Sequence, residues 1–366
     1  MLVLVLNAGS SSVKYQLVDS DTGEHLAGGV VEEVVHHATS LRTVVAEVER
    51  LGRPIDAIGH RVVHGGDVFS EPTRIDDHVV DVIRELSPLA PLHNPASIAG
   101  IEAARATWPT LTQVAVFDTA FHRTLPPAAY RYAVPTLWYE QHGVRRYGFH
   151  GTSHDYVSTR AAAVLGRPRD ELDLIVAHLG NGASIAAVQR GRSVETSMGL
   201  SPLEGLVMGT RSGDIDPAVI GHVAAATGQS EADVLGELIR SSGLLGLCGV
   251  SDVREITARI AAGDAIADLA LDVFCHRIRK YVGAYVAVLG GCDALVFTAG
   301  IGEHSALVRE RVCVRLGVFG IELDDDRNER SEIVISHDDA STAVLVVPTD
   351  EEHAIAEQTA RVVADR

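Results

Sequence analysis

Two arginines lie in glycine-containing segments and are candidates for binding an anion. Arg61 ends a predicted strand in the segment GHRVVHGG, and Arg211 lies between glycines in MGTRSGD. A guanidinium group can donate two parallel hydrogen bonds to a carboxylate or to phosphoryl oxygens, which an ammonium group cannot do. An arginine taken alone more often forms a surface ion pair, so both candidates need support from the residues around them.

Three glycine-containing turns follow predicted buried strands, at Asn7–Ser12, His178–Gly182 and Gly300–His304. Backbone N–H groups in such turns can point at an anion without a Cβ atom in the way. Any one of them could equally be a tight hairpin. None matches the P-loop pattern GxxxxGK[ST], and the last is a poor dinucleotide-binding fingerprint. Taken together, the three turns favour phosphate binding.

Lys14 follows the first turn on the returning strand, where its ammonium group could reach a phosphate held at the tip. Lys14 and Lys280 are the only lysines of the chain, which makes Lys14 conspicuous. A solvated lysine on an edge strand is the alternative interpretation.

The histidine pairs His60/His64 and His150/His154 have the HxxxH spacing that can bind zinc. Neither an HExxH motif nor a third-ligand cluster accompanies them. Structural or hydrogen-bonding roles are therefore the better account of His60, His64 and His154. A zinc hydrolase stays the weaker alternative, because no nucleophile or ligand set supports it.

Alternating strands and helices must position these residues. Strands are predicted at 2–6, 13–18, 56–63, 112–118, 174–179, 184–189, 293–298 and 342–347. Helices are predicted at 94–107, where Pro95 lies in the first turn, and near 217–226, 231–241, 265–289, from the third glycine turn to about 316, and 351–363. The layout of the first half recurs in the second, which suggests a duplication and two α/β domains around a central cleft.

The composition limits the classes of function. The 366 residues are 46% hydrophobic and carry a net charge of −18, which argues against general binding to nucleic acid or anionic membranes. The scattered Cys248, Cys275, Cys292 and Cys313 form no CxxC pair and are expected to be reduced, mostly buried thiols. The segment MLVLVLNAGSSS has no basic n-region, and no apolar run approaches the roughly 18 residues of a membrane span. A soluble, cytoplasmic protein is expected.

Ten segments spread along the chain resemble, in order, the signature stretches of the acetate kinase family. They are LNAGSSSVKYQL, GHRVVHGG, LAPLHNP, VFDTAFH, RRYGFHGTSH, HLGNGAS, MGTRSGDIDP, SGLLG, TAGIGE and VVPTDEE. The resemblance runs from residue 2 to the C-terminal helix, and motifs of this length and number are highly specific.

This resemblance implies a particular α/β fold, the duplicated actin/Hsp70/sugar-kinase type, which is ribonuclease H-like and has a central nucleotide cleft between two domains. It implies an N-terminal acetokinase domain at 1–118, onto which the C-terminal helix at 353–366 packs back. The C-terminal acetokinase domain is then expected at 119–352. A homodimer is also implied.

The activity implied by the resemblance is reversible, Mg²⁺-dependent transfer of the γ-phosphoryl group of ATP to acetate, giving acetyl phosphate and ADP. Mn²⁺ is the alternative metal. Acetate is ionised at neutral pH, so no general base is strictly needed and transfer is expected to be direct and in line. The resemblance implies catalytic roles for Asp118, His150 and Arg211, and substrate binding by Arg61 and, as a second-rank candidate, His93. We expect Asp118 to orient Arg61 or a water molecule on Mg²⁺ rather than to deprotonate acetate.

Asn7 and Glu351 match the metal-linked positions of the family, and hard oxygen ligands suit Mg²⁺. The nucleotide-binding positions implied by the resemblance are Lys14, His178, Leu179, Gly180, Asn181, Gly182, Asp252, Val253, Arg254, Gly300, Ile301, Gly302, Glu303 and His304. The chain departs from the family pattern at His304 and Asp350, where asparagine is expected, and the stretch around Asp252 is one residue shorter.

Three other kinds of protein would fit part of this pattern. A propionate kinase shares nearly every motif, so that the size of the acyl pocket decides between the two, and a butyrate kinase is more remote. An actin- or Hsp70-like ATPase would use the same fold as a clamp for protein partners. Such a clamp would not need two arginines and a histidine directed at a small anion, and fold analogy alone could not separate these functions.

Overall fold

The computed structural model describes residues 1–9, 12–32, 44–45, 47–48, 50, 52–91 and 93–365. These residues form two compact units. The first unit consists of Met1–Arg123, Phe149–Tyr156 and Asp350–Arg366, and the second of Thr124–Gly148 and Val157–Thr349. Ser10 and Ser11, at the tip of the predicted Asn7–Ser12 turn, lie outside the described residues.

The first unit is built on a six-stranded sheet with the order β3-β2-β1-β4-β6-β5. Its strands are β1 Leu2–Ala8, β2 Ser12–Asp19, β3 His25–Glu32, β4 Ala57–Val62, β5 Thr73–Arg74 and β6 Thr112–Phe117. Strands β1, β2 and β3 pair antiparallel, whereas β1, β4 and β6 run parallel to one another. The carboxyl ends of β1, β4 and β6 therefore meet at the same edge of the sheet.

Helices cover both faces of this sheet, because the side chains of each strand alternate between the two faces. On one face Leu2, Leu4 and Leu6 share a core with Ala104 of the helix Asn94–Thr107. On the other face Val3 and Val5 pack with residues of the C-terminal helix Glu351–Ala364. The helix Asp77–Glu85 and the 3-10 helices Ser87–Leu89 and Ala120–Thr124 complete the regular elements that lie wholly in this unit.

The second unit is built on a five-stranded sheet with the order β11-β10-β7-β8-β9. Its strands are β7 Asp173–Leu179, β8 Ala183–Gln189, β9 Arg192–Thr196, β10 Ala294–Thr298 and β11 Ala343–Val346. Here β7, β8 and β9 pair antiparallel, and β7, β10 and β11 run parallel. Both sheets thus combine an antiparallel three-strand meander with two further strands parallel to its first strand. This shared topology agrees with the duplicated α/β fold predicted from the sequence.

The second unit contains most of the helices. They are Pro127–Tyr130, Thr136–His142, most of Gly151–Leu165, Ala218–Thr227, Glu231–Arg240, Gly243–Cys248, Val253–Ala261, Ala265–Leu289, Ala299–His304, Ala306–Cys313 and Asp325–Glu329, with 3-10 turns at Arg169–Glu171 and Gly317–Phe319. Several begin at a side-chain cap. Ser230 and Asp233 form a capping box, and the carboxylate of Asp264 accepts from two backbone N–H groups at the start of the longest helix.

The predicted strands and helices are confirmed with small shifts at their ends, and one predicted turn is corrected. Gly300–His304 is not a turn but lies in the helix Ala299–His304, which follows β10 directly because Ala299 adopts φ 63°. Besides the ranges 1–118 and 353–366 of the predicted N-terminal domain, the first compact unit contains Phe149–Tyr156, residues 350–352 and residues 119–123. The backbone N–H of Gly151, which donates to the carbonyl of Asp118 at 2.8 Å, accounts for the first of these segments.

Two further predictions concern cysteines and membrane spans. All four cysteines are free thiols, and Cys248, Cys275 and Cys313 are buried, as predicted. Within the described ranges no single helix is long and apolar enough to cross a membrane, although the bent pair Glu231–Arg240 and Gly243–Ala261 passes by length and composition.

Candidate active site

Three predicted site residues lie at neighbouring strand ends in the first unit. Asn7 follows Val5 by two positions on β1, and Asp118 follows Val116 by two positions at the end of β6, so both side chains share the face that packs on the C-terminal helix. Arg61 belongs to the same face, because a Cβ atom on Gly59 would lie 2.5 Å from Thr359 of that helix. Parallel strands thus bring these three residues to one edge of the sheet.

Arg61 and Asp118 form a forked ion pair at this edge. Nε of Arg61 donates to Oδ1 of Asp118 at 3.0 Å, and Nη2 donates to Oδ2 at 2.7 Å. The Asp118 side chain is 2% exposed and the Arg61 side chain 21% exposed, so the guanidinium reaches solvent while the carboxylate does not. Oε2 of Glu351 lies 3.8 Å from Nε of Arg61.

The charged groups of this cluster shift each other's pKa. Burial raises the pKa of Asp118 above the usual value of a carboxyl group, and the bonded Arg61 and a protonated His93 oppose this shift. Burial alone would lower the pKa of Arg61, but the charges of Asp118 and Glu351 raise it above its usual value. A forked guanidinium is the partner that keeps a buried carboxylate ionised.

His150 is held beside this cluster by its backbone. It adopts φ 56°, a left-handed conformation that is uncommon for a residue other than glycine. The next residue must be glycine, because a Cβ atom on Gly151 would lie 2.3 Å from the carbonyl oxygen of Asp118. Strained backbone of this kind clusters at functional sites.

A row of three acidic residues begins the C-terminal helix, and each contacts a basic side chain from a different strand. Asp350 lies 2.9 Å from Nε2 of His25 on β3, Glu351 lies near Arg61 on β4, and Glu352 pairs with Lys14 on β2. Acidic side chains also favour the positive end of a helix dipole. Lys14, predicted to bind nucleotide, is therefore engaged in an ion pair with Glu352 in this structure.

His25 contacts Asp350, the aspartate that stands where asparagine is expected. The side-chain amide nitrogen of Gln16 lies 2.7 Å from Nδ1 of His25, and because an amide nitrogen can only donate, Nε2 of His25 is left to donate to the Asp350 carboxylate at 2.9 Å. The Asp350 carboxylate caps the helix as well, accepting from the backbone N–H of His353 at 2.9 Å.

Asn7 and Glu351 fit a magnesium ion whose other ligands come from the substrate and from water. Each offers hard oxygen atoms, which Mg²⁺ prefers, and Mg²⁺ commonly takes one or two protein oxygens together with substrate phosphates and water. No group of three or more His, Cys, Asp or Glu side chains able to hold a metal occurs in the part of the chain that the structure describes. The donor set therefore suits an ion that arrives with a phosphate ligand.

The second unit contains a cavity of about 820 Å³ that gathers most of the predicted nucleotide-binding residues. The predicted residues that line it are Gly180, Asn181, Asp252, Val253, Arg254, Gly300, Ile301 and His304. They come from the hairpin turn between β7 and β8, the start of the helix Val253–Ala261, and the helix Ala299–His304. These segments lie far apart in sequence, and the structure brings them to one surface.

The other predicted nucleotide residues of this unit do not line the cavity. Leu179 is fully buried in the sheet core, and Glu303 accepts from the backbone N–H of Thr349 at 3.1 Å. The other predicted nucleotide-binding residues outside the cavity lining are His178, Gly182 and Gly302. His178 is buried at the end of β7, where it pairs with Thr298 of β10.

Asp252 and Arg254 form an exposed pair at the rim of the cavity. Arg254 donates from Nη2 to Oδ2 of Asp252 at 2.6 Å, and Asp252 caps its helix by accepting from the backbone N–H of Arg254 at 2.8 Å. The hydrogen bonds from Arg254 lower the pKa of Asp252 to about 2. Arg254 is 92% exposed, so its guanidinium is accessible to a ligand.

Part of the cavity wall consists of residues that no sequence motif indicates. The residues added by the structure are Ser251, Thr257, Ser305, Ala306, Leu307, Glu329 and Ser331. Arg309 holds two sides of this wall together, although it is fully buried and pairs with no carboxylate among the residues that the structure describes. It donates to the carbonyls of Gly302 and Glu303, each at 2.9 Å, and to the carbonyl of Asn328 at 2.7 Å.

Arg211 lies on the loop formed by residues 205–214, which is hydrogen-bonded to a residue that lines the cavity. The backbone N–H of Gly209 donates to the carbonyl of Asn181 at 2.9 Å, and Asn181 lines the cavity. Nη1 of Arg211 donates to the carbonyl of Pro202 at 2.6 Å, but no carboxylate among the described residues pairs with its guanidinium. Burial lowers the pKa of Arg211, which is the condition under which binding an anion is favourable.

His60 and His64 have local hydrogen-bond partners in the first unit. Nε2 of His60 lies 2.8 Å from Oε1 of Gln113, and Nδ1 of His64 accepts from the backbone N–H of Gly66 at 3.0 Å. Burial lowers the pKa of His60 to about 4. A neutral, hydrogen-bonded His60 agrees with the structural role predicted for it.

The chain is similar to known proteins along its whole length. The Acetokinase family matches residues 2–51 and 36–357. Acetate kinase of Streptomyces avermitilis is 52% identical over 389 residues, covering 98% of this chain and 96% of the relative, and acetate kinase of Maridesulfovibrio salexigens is 48% identical, covering 99% of both.

Solved structures give the same result. The crystal structure of Porphyromonas gingivalis acetate kinase superposes with a TM-score of 0.95 at 43% identity and covers 99% of both chains. A propionate kinase from Francisella tularensis gives a TM-score of 0.93 at 42% identity and covers 98% of this chain and 99% of the other. The chain, a two-sheet α/β protein with a glycine-lined cavity and a forked Arg61–Asp118 pair, belongs to the Acetokinase family.

Proposed function

We propose that this chain is an ATP:acetate phosphotransferase, which transfers the γ-phosphoryl group of ATP reversibly to acetate and yields acetyl phosphate and ADP. The observation that carries the proposal is the environment of Arg211. This part-buried guanidinium pairs with no carboxylate in the described ranges, and its loop is bonded to a turn that lines the cavity. A charged group left unpaired in such surroundings is suited to a ligand phosphoryl group.

The acceptor is bound through Arg61. Acetate is already a carboxylate at neutral pH, so the enzyme must attract and align two anions rather than remove a proton. Asp118 holds the Nε/Nη2 edge of the guanidinium, which leaves Nη1 and the second proton of Nη2 to face acetate. Asp118 is then a positioning residue, and His150 donates a hydrogen bond to the transferring group.

The nucleotide occupies the cavity of the second unit. Its volume of about 820 Å³ lies within the range of small-molecule sites, roughly 300–1,000 Å³. Gly180 and Gly300 allow the backbone to approach phosphates closely, and Arg254 adds a positive charge at the rim. Arg211 stabilises the charge that develops on the γ-phosphoryl group during transfer.

Asn7 and Glu351 would hold Mg²⁺, or Mn²⁺ in its place, through their side-chain oxygens. When bound, the ion supplies positive charge that neutralises phosphate oxygens. The contact of Glu351 with Arg61 links this metal position to the acceptor site. Lys14 can leave Glu352 and bind a phosphate instead, because the lysine side chain is 50% exposed.

The family resemblance supports two further parts of the proposal, a homodimer and a cytoplasmic location. The net charge of −18 supports a protein that binds neither nucleic acid nor anionic membranes. Light scattering of the purified chain tests the dimer directly, and a monomer at all concentrations would contradict it.

Propionate is the second candidate acceptor, because the Francisella tularensis relative is a propionate kinase at 42% identity. The deciding experiment measures ADP formation from Mg-ATP with formate, acetate, propionate and butyrate, compared as kcat/KM. We expect acetate to give the highest value. A higher value for propionate would make the chain a propionate kinase, and no phosphoryl transfer to any of the four would refute the proposal.

A further inference from the structure

The loop that carries Arg211 is closed at its neck by Asp214. The backbone N–H of Gly205 donates to Oδ1 of Asp214 at 2.8 Å, and the backbone N–H of Asp214 donates back to the carbonyl of Gly205 at 3.0 Å. These two hydrogen bonds join the first and last residues of the loop. The conformation of the residues between them, including Arg211, therefore depends on this closure.

The longest helix, Ala265–Leu289, braces the same neck with two side chains. The hydroxyl of Tyr281 donates to Oδ2 of Asp214 at 2.8 Å. Nη1 of Arg277 donates to the carbonyls of Asp214 and Gly205 at 3.1 and 3.2 Å. Arg277 and Tyr281 are four residues apart on one face of the helix, so a rigid element holds both ends of the loop.

The interior of the loop has little freedom once the neck is closed. The backbone N–H of Met208 donates to the carbonyl of Arg211 at 3.1 Å. Gly213 adopts φ 68°, and a Cβ atom there would lie 2.3 Å from the carbonyl oxygen of Leu206. Arg211 also donates to Pro202, which precedes the neck. The direction of the guanidinium is thus set by backbone contacts that the closed neck maintains.

We propose that Asp214 is a positioning residue for phosphoryl transfer, which acts by closing the Gly205–Asp214 loop and so aiming the Arg211 guanidinium. This inference rests on the proposed function, in which Arg211 meets the transferring group. Because the effect passes through Arg211, loss of the closure lowers the turnover rate and leaves binding of acetate to Arg61 unchanged.

The chemistry of the neck favours a carboxylate over an amide. Oδ1 and Oδ2 each accept a hydrogen bond, and Nη1 of Arg277 lies 3.6 Å from Oδ2. An asparagine keeps one acceptor and directs an N–H₂ group at a position that faces a donor or a cation. Asp214→Asn is nearly isosteric, so it disturbs the neck without removing packing. Tyr281→Phe removes only the hydroxyl and gives a milder change.

The test is a double-mutant cycle between Asp214→Asn and Arg211→Ala. In the wild-type background we expect Asp214→Asn to lower kcat by roughly 10- to 100-fold, because small misplacements of a catalytic group have effects of this size. The KM values for acetate and ATP should change by less than about threefold. In the Arg211→Ala background the same substitution should change kcat by less than about twofold. Turnover is followed as acetyl phosphate trapped with hydroxylamine, at enzyme concentrations high enough for the slow variants.

Two further variants and the wild-type chain separate the possible failures. Asp272→Asn removes an exposed carboxylate of the long helix, which pairs with Arg311 of the helix Ala306–Cys313, and it should leave kcat unchanged. If Asp214→Asn does not fold, as judged by circular dichroism, Tyr281→Phe takes its place in the cycle with an expected loss of about threefold to tenfold. If the fold-losses in kcat of the two single variants multiply in the double variant, the two residues act independently and the inference is overturned. A wild-type chain that does not phosphorylate any carboxylate would overturn the proposed function instead.

Discussion

Asp118 accepts two hydrogen bonds from one edge of the Arg61 guanidinium, from Nε at 3.0 Å and from Nη2 at 2.7 Å. This contact fixes the plane of the guanidinium and assigns its two edges to different tasks. One edge is occupied by the buried carboxylate, and Glu351 lies 3.8 Å from Nε on that same edge. The Nη1/Nη2 edge is therefore left for a second anion. A fork held in this way loses little side-chain entropy when it binds a second anion.

Arg61→Lys is expected to raise the KM for acetate at least about tenfold and the KM for ATP by less than about twofold. The lysine keeps the positive charge but has a single nitrogen, so it cannot bind Asp118 and acetate bidentately at the same time. Steady-state kinetics with each substrate varied in turn provides the measurement. Equal changes in both KM values would indicate a purely structural Arg61.

Asp118→Asn is expected to lower kcat/KM for acetate mainly through KM, and to lower the free energy of unfolding by about 2 kcal/mol. The asparagine retains one acceptor for Arg61 but loses the charged second hydrogen bond, and such bonds contribute roughly 1.5–3 kcal/mol. Urea denaturation and steady-state kinetics at several pH values check both expectations. Complete loss of kcat with an unchanged KM for acetate would instead favour proton transfer by Asp118.

The sequence predicts the strand ends better than it predicts the contacts made there. Residues 2–6 and 294–297 are continuous apolar runs, and Pro95 marks the start of its helix, so these elements follow from local signals. The sequence pattern predicts no strand at His25–Glu32, where the structure has β3, because the pair Gly28 and Gly29 is typical of a turn. In the structure a Cβ atom on Gly28 would lie 1.6 Å from Oε1 of Gln16, the end of a flexible side chain that would have to move.

The parts of the site that the sequence does not predict depend on contacts between residues that lie apart in the sequence. Arg309 has the pattern of a solvated residue on a short helix, and nothing local indicates that it is fully buried between Gly302 and Asn328. Glu329 and Ser331, which line the cavity, lie within three residues of Asn328 in the chain. Asp214 lies inside a recognised motif, but its role depends on Tyr281, which no motif contains.

His150→Ala is expected to lower kcat by roughly 10²–10³-fold with modest changes in KM, which is the usual effect of removing one hydrogen-bond donor from a transition state. His150→Gly is the matched control. Because φ is 56° at this position, glycine relieves backbone strain of about 1 kcal/mol that alanine retains. Both variants should therefore be equally slow, whereas the glycine variant should have the higher midpoint in urea. Turnover close to wild type in either folded variant would exclude His150 from the reaction.

The stability of the protein is expected to fall as the pH drops from about 6.5 towards 4, in part because of His60. The folded-state pKa of His60 is about 4, against 6.5 for the unperturbed side chain. In this window the unfolded chain takes up a proton that the folded chain does not, so unfolding is favoured as the pH falls. Over the whole window this amounts to roughly 3 kcal/mol.

Urea denaturation of the wild type, His60→Asn and His142→Asn at pH values from 7 to 4.5 measures this contribution. His60→Asn should show a shallower dependence of the free energy of unfolding on pH. His142 is exposed, and its substitution should leave the dependence as in the wild type. The same slope in all three proteins would contradict the assignment of this effect to His60.

Phosphoryl transfer is expected to be direct, with inversion at phosphorus. A double displacement would need an enzyme nucleophile, and the candidates in the first unit are already engaged. Both oxygens of Asp118 accept hydrogen bonds from Arg61, and Glu351 lies 3.8 Å from the same guanidinium and is the proposed metal ligand. His150 is needed as a donor, so its ring nitrogen is not available for attack. Acetate, in contrast, arrives ionised, and alignment by Arg61 supplies much of what a bound nucleophile requires.

ATP made chiral at the γ-phosphorus with oxygen isotopes should therefore give acetyl phosphate of inverted configuration, as a single in-line displacement requires. Net retention would show that two displacements occur, and Glu351 and His150 would then be the first residues to examine for covalent phosphate.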